Sequence, residues 1–167
     1  MNLYLMRHGF AVEPGTPGYD SDGERPLTSK GERRVRRVAE ALAKMEVSFD
    51  LIFSSPLVRA RQTAQALVEE AKDKQKVQLT EHLAPGGSPK ELIELLQGAS
   101  GPAQEILLVG HEPDLSRLAS LLLTGGDGPT VIFKKGGTAK LAIDKLRAGR
   151  CATIEWLMTS HQLEMMT

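Results

Sequence analysis

The sequence predicts an α/β protein: a single domain over residues 1–167, built as a three-layer α/β/α sandwich around a mostly parallel sheet. Three observations carry this expectation. Short apolar runs, Leu3-Tyr4-Leu5-Met6, Leu51-Ile52-Phe53 and Ile106-Leu107-Leu108-Val109, alternate with longer segments whose apolar residues recur at three and four, the rhythm of strand, helix, strand. The runs are apolar at successive positions, as in strands covered on both faces. No repeat, linker or change of composition divides the 167 residues, a length that supports a core without disulfide or metal staples.

Asn2 to Met6 reads as a central strand with polar Arg7 and His8 at its carboxyl end. Val35, Val38, Ala39, Leu42 and Met45 then form the apolar stripe of a helix between Thr28 and Met45, with Thr28 as N-cap. Arg33, Arg34, Arg36 and Arg37 flank the stripe and read as its solvated face. Leu51 to Phe53 is a second buried strand, after which Ser55 suits an N-cap and Pro56 the first helical position. The packed face of that helix is Leu57, Ala60, Ala64, Leu67, Val68 and Ala71. Val77 to Thr80 is a weaker strand, and Pro85-Gly86-Gly87-Ser88 leads into a helix carrying Leu92, Ile93, Leu95 and Leu96. Ile106 to Val109 is the clearest strand, joined by Gly110-His111-Glu112-Pro113 to a helix with Leu115, Leu118, Ala119 and Leu122. After a loop from Gly125 to Pro129 the period shortens to two. Lys140 to Ile143 is one strand, and Ile154, Trp156 and Met158 lie on one face of another. The tail from Thr159 carries no pattern.

Composition narrows the function. Lys and Arg number 21 and Asp and Glu 21, a net charge of zero, whereas phosphate-backbone binding needs a basic stripe and a pI above about 9. Nucleic acid is therefore not an expected partner. No apolar run approaches the roughly 18 residues of a membrane span, and no signal segment opens the chain; the expectation is a cytoplasmic protein with no membrane partner. Asp20-Ser21-Asp22-Gly23 lacks the third oxygen ligand of a calcium loop, and Gly31 stands where a bidentate Glu is required, so it reads as a turn. His82 and His161 have no partner at metal-ligand spacing, and Cys151 is a lone cysteine. No metal or other cofactor is expected.

In open α/β sheets ligands bind beyond the carboxyl ends of the strands. Three such junctions here hold Arg7-His8-Gly9, Ser54-Ser55-Pro56-Leu57-Val58-Arg59 and Gly110-His111-Glu112-Pro113. Two guanidiniums beside a helix N-terminus make a site for a phosphoryl group, and a neutral imidazole beside that group is a competent nucleophile. A second imidazole can stabilise charge or move a proton, and Gly9 would let the backbone approach the ligand. Each residue alone is more often structural. Their joint placement on one rim makes His8, His111, Arg7 and Arg59 the candidate catalytic and phosphate-binding residues.

These residues also resemble a known family. Arg7-His8-Gly9, Arg25-Pro26-Leu27-Thr28 with Gly31, Ser55-Pro56 with Arg59-Ala60 and Gln62-Thr63-Ala64, and Val109-Gly110-His111 with Pro113 follow, in order and spacing from Leu3 to about Thr124, the histidine phosphatase superfamily. The short chain, with no large lid insertion between motifs, is most similar to its SixA-type phosphohistidine phosphatases. The resemblance implies the phosphoglycerate-mutase-like fold and metal-independent hydrolysis through a phosphohistidine on His8. Arg7, Arg59 and His111 would hold the phosphoryl oxygens. The implied substrate is phosphohistidine on a protein such as a histidine phosphotransfer domain. Small phosphomonoesters are the alternative, and a non-catalytic phosphoprotein-binding module is an alternative of another class.

Two positions depart from the family pattern. Members that cleave esters carry a carboxylic acid for the alkoxide, and Glu81 is its nearest positional candidate here, in a loosely matching context. An imidazole leaves more readily than an alkoxide, so a doubtful acid favours phosphoramidates. Phe10 stands where many members place a polar residue; it either shapes the pocket mouth or packs beneath the following loop.

Overall fold

The structure, a computed structural model, describes residues 1–70, 76–99, 101–128 and 130–167. Its sheet comprises β1 (Asn2–Arg7), β2 (Leu51–Ser54), β3 (Val77–Leu79), β4 (Glu105–Gly110), β5 (Thr138–Ile143) and β6 (Ala152–Met158), in the order β3-β2-β4-β1-β5-β6. The first four strands pair in parallel, β5 runs antiparallel to β1, and β6 antiparallel to β5. The helices are α1 (Ser29–Lys44), α2 (Val58–Glu70), α3 (Pro89–Ala99), α4 (Asp114–Thr124) and the short α5 (Ser160–Glu164).

Both faces of the sheet are covered, which explains the unbroken apolar runs. Along β1, Leu3 and Leu5 join one core with Leu96 of α3, Leu118 of α4 and Leu108 of β4. Tyr4 and Met6 join the other, with Val38 and Leu42 of α1, Leu67 of α2 and Val109 of β4. Thr28 caps α1 as the sequence predicts, its hydroxyl accepting from the Gly31 amide at 3.0 Å. Among the described residues no helix is long and apolar enough to cross a membrane.

Three expectations shift. The second helix starts at Val58 rather than Pro56, because Ser55 Oγ accepts from the Leu57 amide at 3.2 Å and the amides of Ala60 and Arg61 both turn to the Leu57 carbonyl. Ala71 and Pro129 lie outside the described residues. Ile154, Trp156 and Met158 do not share a face: β6 slips register opposite Lys140 and Leu141, so that Lys140 pairs with Trp156 and Leu141 with Ile154. That irregularity sends Ile154 to the first core and Trp156 and Met158 to the second. The tail forms α5, whose Thr159 and Gln162 make a reciprocal capping box. Glu164 of α5 pairs with Arg34 at 3.1 Å and Arg37 at 3.4 Å, so part of the arginine face of α1 secures the chain end.

Candidate active site

The strands β2, β4 and β1 are neighbours, and their pairing continues one residue beyond the sheet. The His8 amide donates to the Gly110 carbonyl at 3.1 Å and the Ser55 amide to the Val109 carbonyl at 3.0 Å. This brings the residue after each strand to one rim. His8 and His111 lie with ring centroids 5.0 Å apart, and Arg59, from the first turn of α2, reaches between them. Its Nε is 3.3 Å from His8 Nε2 and its Nη2 3.5 Å from His111 Nδ1. His8, Arg59 and His111 are 7%, 3% and 3% exposed, so the cluster is desolvated.

A Cβ on Gly9 would stand 2.6 Å from Val35 Cγ2, so the close approach of α1 is one reason for glycine at this position. The Gly9 amide is held by Thr63 Oγ1 at 3.0 Å. Gly31 is tighter still: a Cβ would overlap the Phe10 carbonyl. Phe10 itself sits between two cations, with Arg34 5.3 Å and Lys135 5.6 Å from the ring centroid.

Hydrogen bonds fix both tautomers. The Gly9 carbonyl only accepts, so His8 Nδ1–H donates to it at 2.7 Å and Nε2 keeps its lone pair toward Arg59. Arg59 only donates, so His111 Nδ1 accepts and Nε2–H donates to Ser55 Oγ at 2.8 Å. Burial, reinforced by the neighbouring guanidiniums, pushes His8 down to about 3 and His111 down to about 4. Both imidazoles are therefore neutral at pH 7.

A stability profile follows from these directions. Each histidine has a folded pKa below its unfolded value of about 6.5, so below that pH the unfolded chain binds more protons than the folded one. Stability is fully present above about pH 6.5 and is lost as pH falls toward the folded values, by about 1.4 kcal/mol per histidine per pH unit inside that window. Urea midpoints measured between pH 7.5 and 4.5 are expected to fall steeply, and His8→Asn with His111→Asn is expected to flatten the slope. An equally steep slope in the double variant would place the acid sensitivity elsewhere.

Arg7 Nη1 donates to the Phe133 carbonyl at 2.9 Å, whereas its Nε is buried without a partner. An orphaned buried N–H costs about 1–3 kcal/mol, and a phosphoryl oxygen in the pocket is the kind of group that satisfies it. Glu112 braces this arrangement by accepting from the Phe133 amide at 2.6 Å and from the Ser116 hydroxyl at 2.7 Å. Glu81 begins a short 3-10 turn beyond β3. It is exposed, and among the described residues its carboxylate has no hydrogen bond or ion pair with the four pocket residues.

The sequence did not single out Asp22, Arg25, Glu112 or Phe133 for the site. Asp22 opens a 3-10 turn in the loop between β1 and α1. Its Oδ2 lies 2.8 Å from Arg59 Nη2, and its backbone carbonyl accepts from Arg59 Nη1 at 2.6 Å. Arg25 holds the other carboxylate oxygen, through Nε at 2.9 Å and Nη2 at 2.6 Å. Arg25 and Arg59 keep the Asp22 carboxyl below the usual carboxylate range. The signals in the sequence were the Arg25-Pro26-Leu27-Thr28 motif and the acidic residue three before Arg25, in a segment that reads as a turn.

Comparison with known proteins finds relatives in sequence and in fold. The family model described as histidine phosphatase superfamily (branch 1) matches residues 3–84. The chain is 40% identical over 138 residues to an uncharacterized protein of Picosynechococcus sp. PCC 7002, covering 82% of each. It is 26% identical over 166 residues to the phosphohistidine phosphatase SixA of Escherichia coli K12, covering 99% of this chain and 98% of that protein. A solved structure of the protein histidine phosphatase SixA complexed with tungstate superposes with a TM-score of 0.84 at 26% identity, over 98% of this chain and 99% of the other.

Proposed function

The chain belongs to the histidine phosphatase superfamily, and from that premise we propose that it hydrolyses phosphohistidine on a protein through a phosphoenzyme on His8. The observation that carries this is the neutral His8 ring, whose Nδ1–H is fixed on the Gly9 carbonyl so that Nε2 presents a lone pair beside Arg59. In the first step Nε2 attacks phosphorus, the P–N bond of the substrate breaks, and its electron pair stays on the departing imidazole, which takes a proton from solvent. In the second, water attacks the phosphoryl group on His8, releasing inorganic phosphate with the water's oxygen and restoring the ring. Arg7, Arg59 and His111 hold the phosphoryl oxygens; positioning and charge stabilisation supply most of the catalysis in such a loose transition state. None of these steps requires a metal.

Full-length similarity to the Escherichia coli phosphohistidine phosphatase supports this reading over its rivals. The tungstate bound to the structural neighbour is a tetrahedral oxyanion like phosphate. The connection between β1 and α1, residues 8–28, carries one 3-10 turn and no inserted helix, so the mouth has no helical lid to bar a protein surface. Glu81, without a partner in the pocket, is not needed when the leaving group is an imidazole.

The test is a comparison of kcat/KM, without added metal, for a histidine-phosphorylated phosphotransfer domain and an aryl phosphate, each with wild type and Glu81→Gln. The phosphohistidine protein is expected to be the better substrate, with Glu81→Gln changing its turnover by less than about twofold. Faster ester hydrolysis that collapses in Glu81→Gln would instead assign a small-molecule phosphomonoesterase with Glu81 as its acid. Binding of the phosphorylated domain without turnover would assign a recognition module.

A further inference from the structure

The pocket contains a carboxylate where a phosphate-binding site has no obvious use for one. All three nitrogens of Arg59 are engaged before any ligand arrives: Nε on His8 Nε2, Nη1 on the Asp22 carbonyl and Nη2 on Asp22 Oδ2. A phosphoryl group set for attack by His8 must lie against Nε2, where Arg59 Nε–H now points. Its oxygens also require the guanidinium edge that Asp22 covers. Ligand and carboxylate compete for the same donors, and two anions on one buried arginine repel each other.

We propose that Asp22 is a specificity-determining latch that occupies Arg59 in the resting pocket and is displaced by an incoming phosphoryl oxyanion, which frees Arg25 to become a further ligand of that anion. The inference rests on the reading of the pocket as a phosphoryl site. Geometry favours displacement over fixed bracing. The Asp22 side chain is 56% exposed while that of Arg59 is 4% exposed, so the carboxylate can swing into water and the guanidinium cannot. The turn carrying Asp22 spans only Asp22–Glu24 and contains no buried residue, so little packing opposes its movement. The third guanidinium nitrogen of Arg25, Nη1, is anchored on the Val12 carbonyl, and among the described residues its side chain meets the pocket through Asp22. Released from Asp22, its Nε and Nη2 would point at the rim. The latch sets a threshold: a dianion that can engage several donors at once outcompetes one carboxylate, and a singly charged anion does not.

Calorimetric titration of inorganic phosphate into the full chain at pH 7.5 separates the two roles of Asp22 by sign. If Asp22 is a latch, Asp22→Asn and Asp22→Ala bind phosphate about tenfold more tightly than wild type, with a discount for solvent screening of the exposed carboxylate. Adding Arg25→Gln to Asp22→Asn then removes most of the gain. Equal or weaker binding in both single variants, with thermal melts like that of the wild type, would show that Asp22 braces Arg59 and would overturn the latch alone. No phosphate binding by any of the proteins would overturn the latch together with the phosphoryl-site reading beneath it.

Discussion

With the phosphoenzyme on His8 as proposed, His8→Ala is expected to abolish turnover, lowering kcat about 10,000-fold or more, because no other group in the pocket is placed to take the phosphoryl group. Arg7 and Arg59 are guanidiniums without a nucleophilic lone pair at any accessible pH. His111 is the other imidazole of the cluster, but its Nε2–H is held on Ser55 Oγ, which leaves as its acceptor only Nδ1, the nitrogen beside its own backbone. The fold should survive the substitution. The His8 ring is neutral, and its protein partners are one carbonyl and one guanidinium nitrogen, so its removal takes no charge out of the core. The loss is also qualitative. Alkali-quenched single turnovers with phosphorus-labelled substrate should trap an acid-labile, base-stable adduct in wild type and none in His8→Ala, and peptide mapping at alkaline pH should find the label on His8. Retention of turnover by the alanine variant, or a label on another residue, would discard the covalent mechanism.

The parts of the structure legible in the sequence are those written in short-range pattern. Apolar runs such as Leu3 to Met6 and Ile106 to Val109 identified central strands because both faces are buried, and the residues just beyond them fell on one rim because parallel strands share an end. His8, His111 and Arg59 therefore come together as the sequence indicated. What escaped depends on distant partners or on a single register slip. Ser55 resembled a helix cap, but its hydroxyl, which accepts from the Leu57 amide, also accepts from His111. The break in β6 pairing beside Lys140 cannot be seen in a strand that alternates without interruption. Asp22 reaches Arg59 across 37 residues of chain, and Glu112 supports Arg7 only through the backbone of Phe133. Local spacing does not encode such links. The capping box at Thr159 and Gln162 was different: its signal was present, but no apolar stripe accompanied it.

Arg59→Lys is expected to be nearly as damaging as Arg59→Ala, each lowering kcat by about 1,000-fold. The guanidinium touches His8 through Nε, His111 through Nη2 and Asp22 through both terminal nitrogens. That planar fork spans the nucleophile and the far wall of the pocket at once. A lysine ammonium keeps the charge but is a point donor on a flexible stem, so it can address one of these groups and not the set. The alanine variant has a second signature. Burial is the main cause of the lowered His111 pKa, and Arg59 is the next. Removing Arg59 should raise the His111 titration midpoint above its value of about 4, visible in imidazole proton shifts followed against pH, while Arg59→Lys should hold it down. Activity and titration then diverge: lysine preserves the field at His111 and fails to restore the rate. Full rescue of kcat by lysine would mean that net positive charge is sufficient in this pocket. The geometry of the fork, and with it the competition between Asp22 and a phosphoryl group for the same edge, would then have no bearing on catalysis.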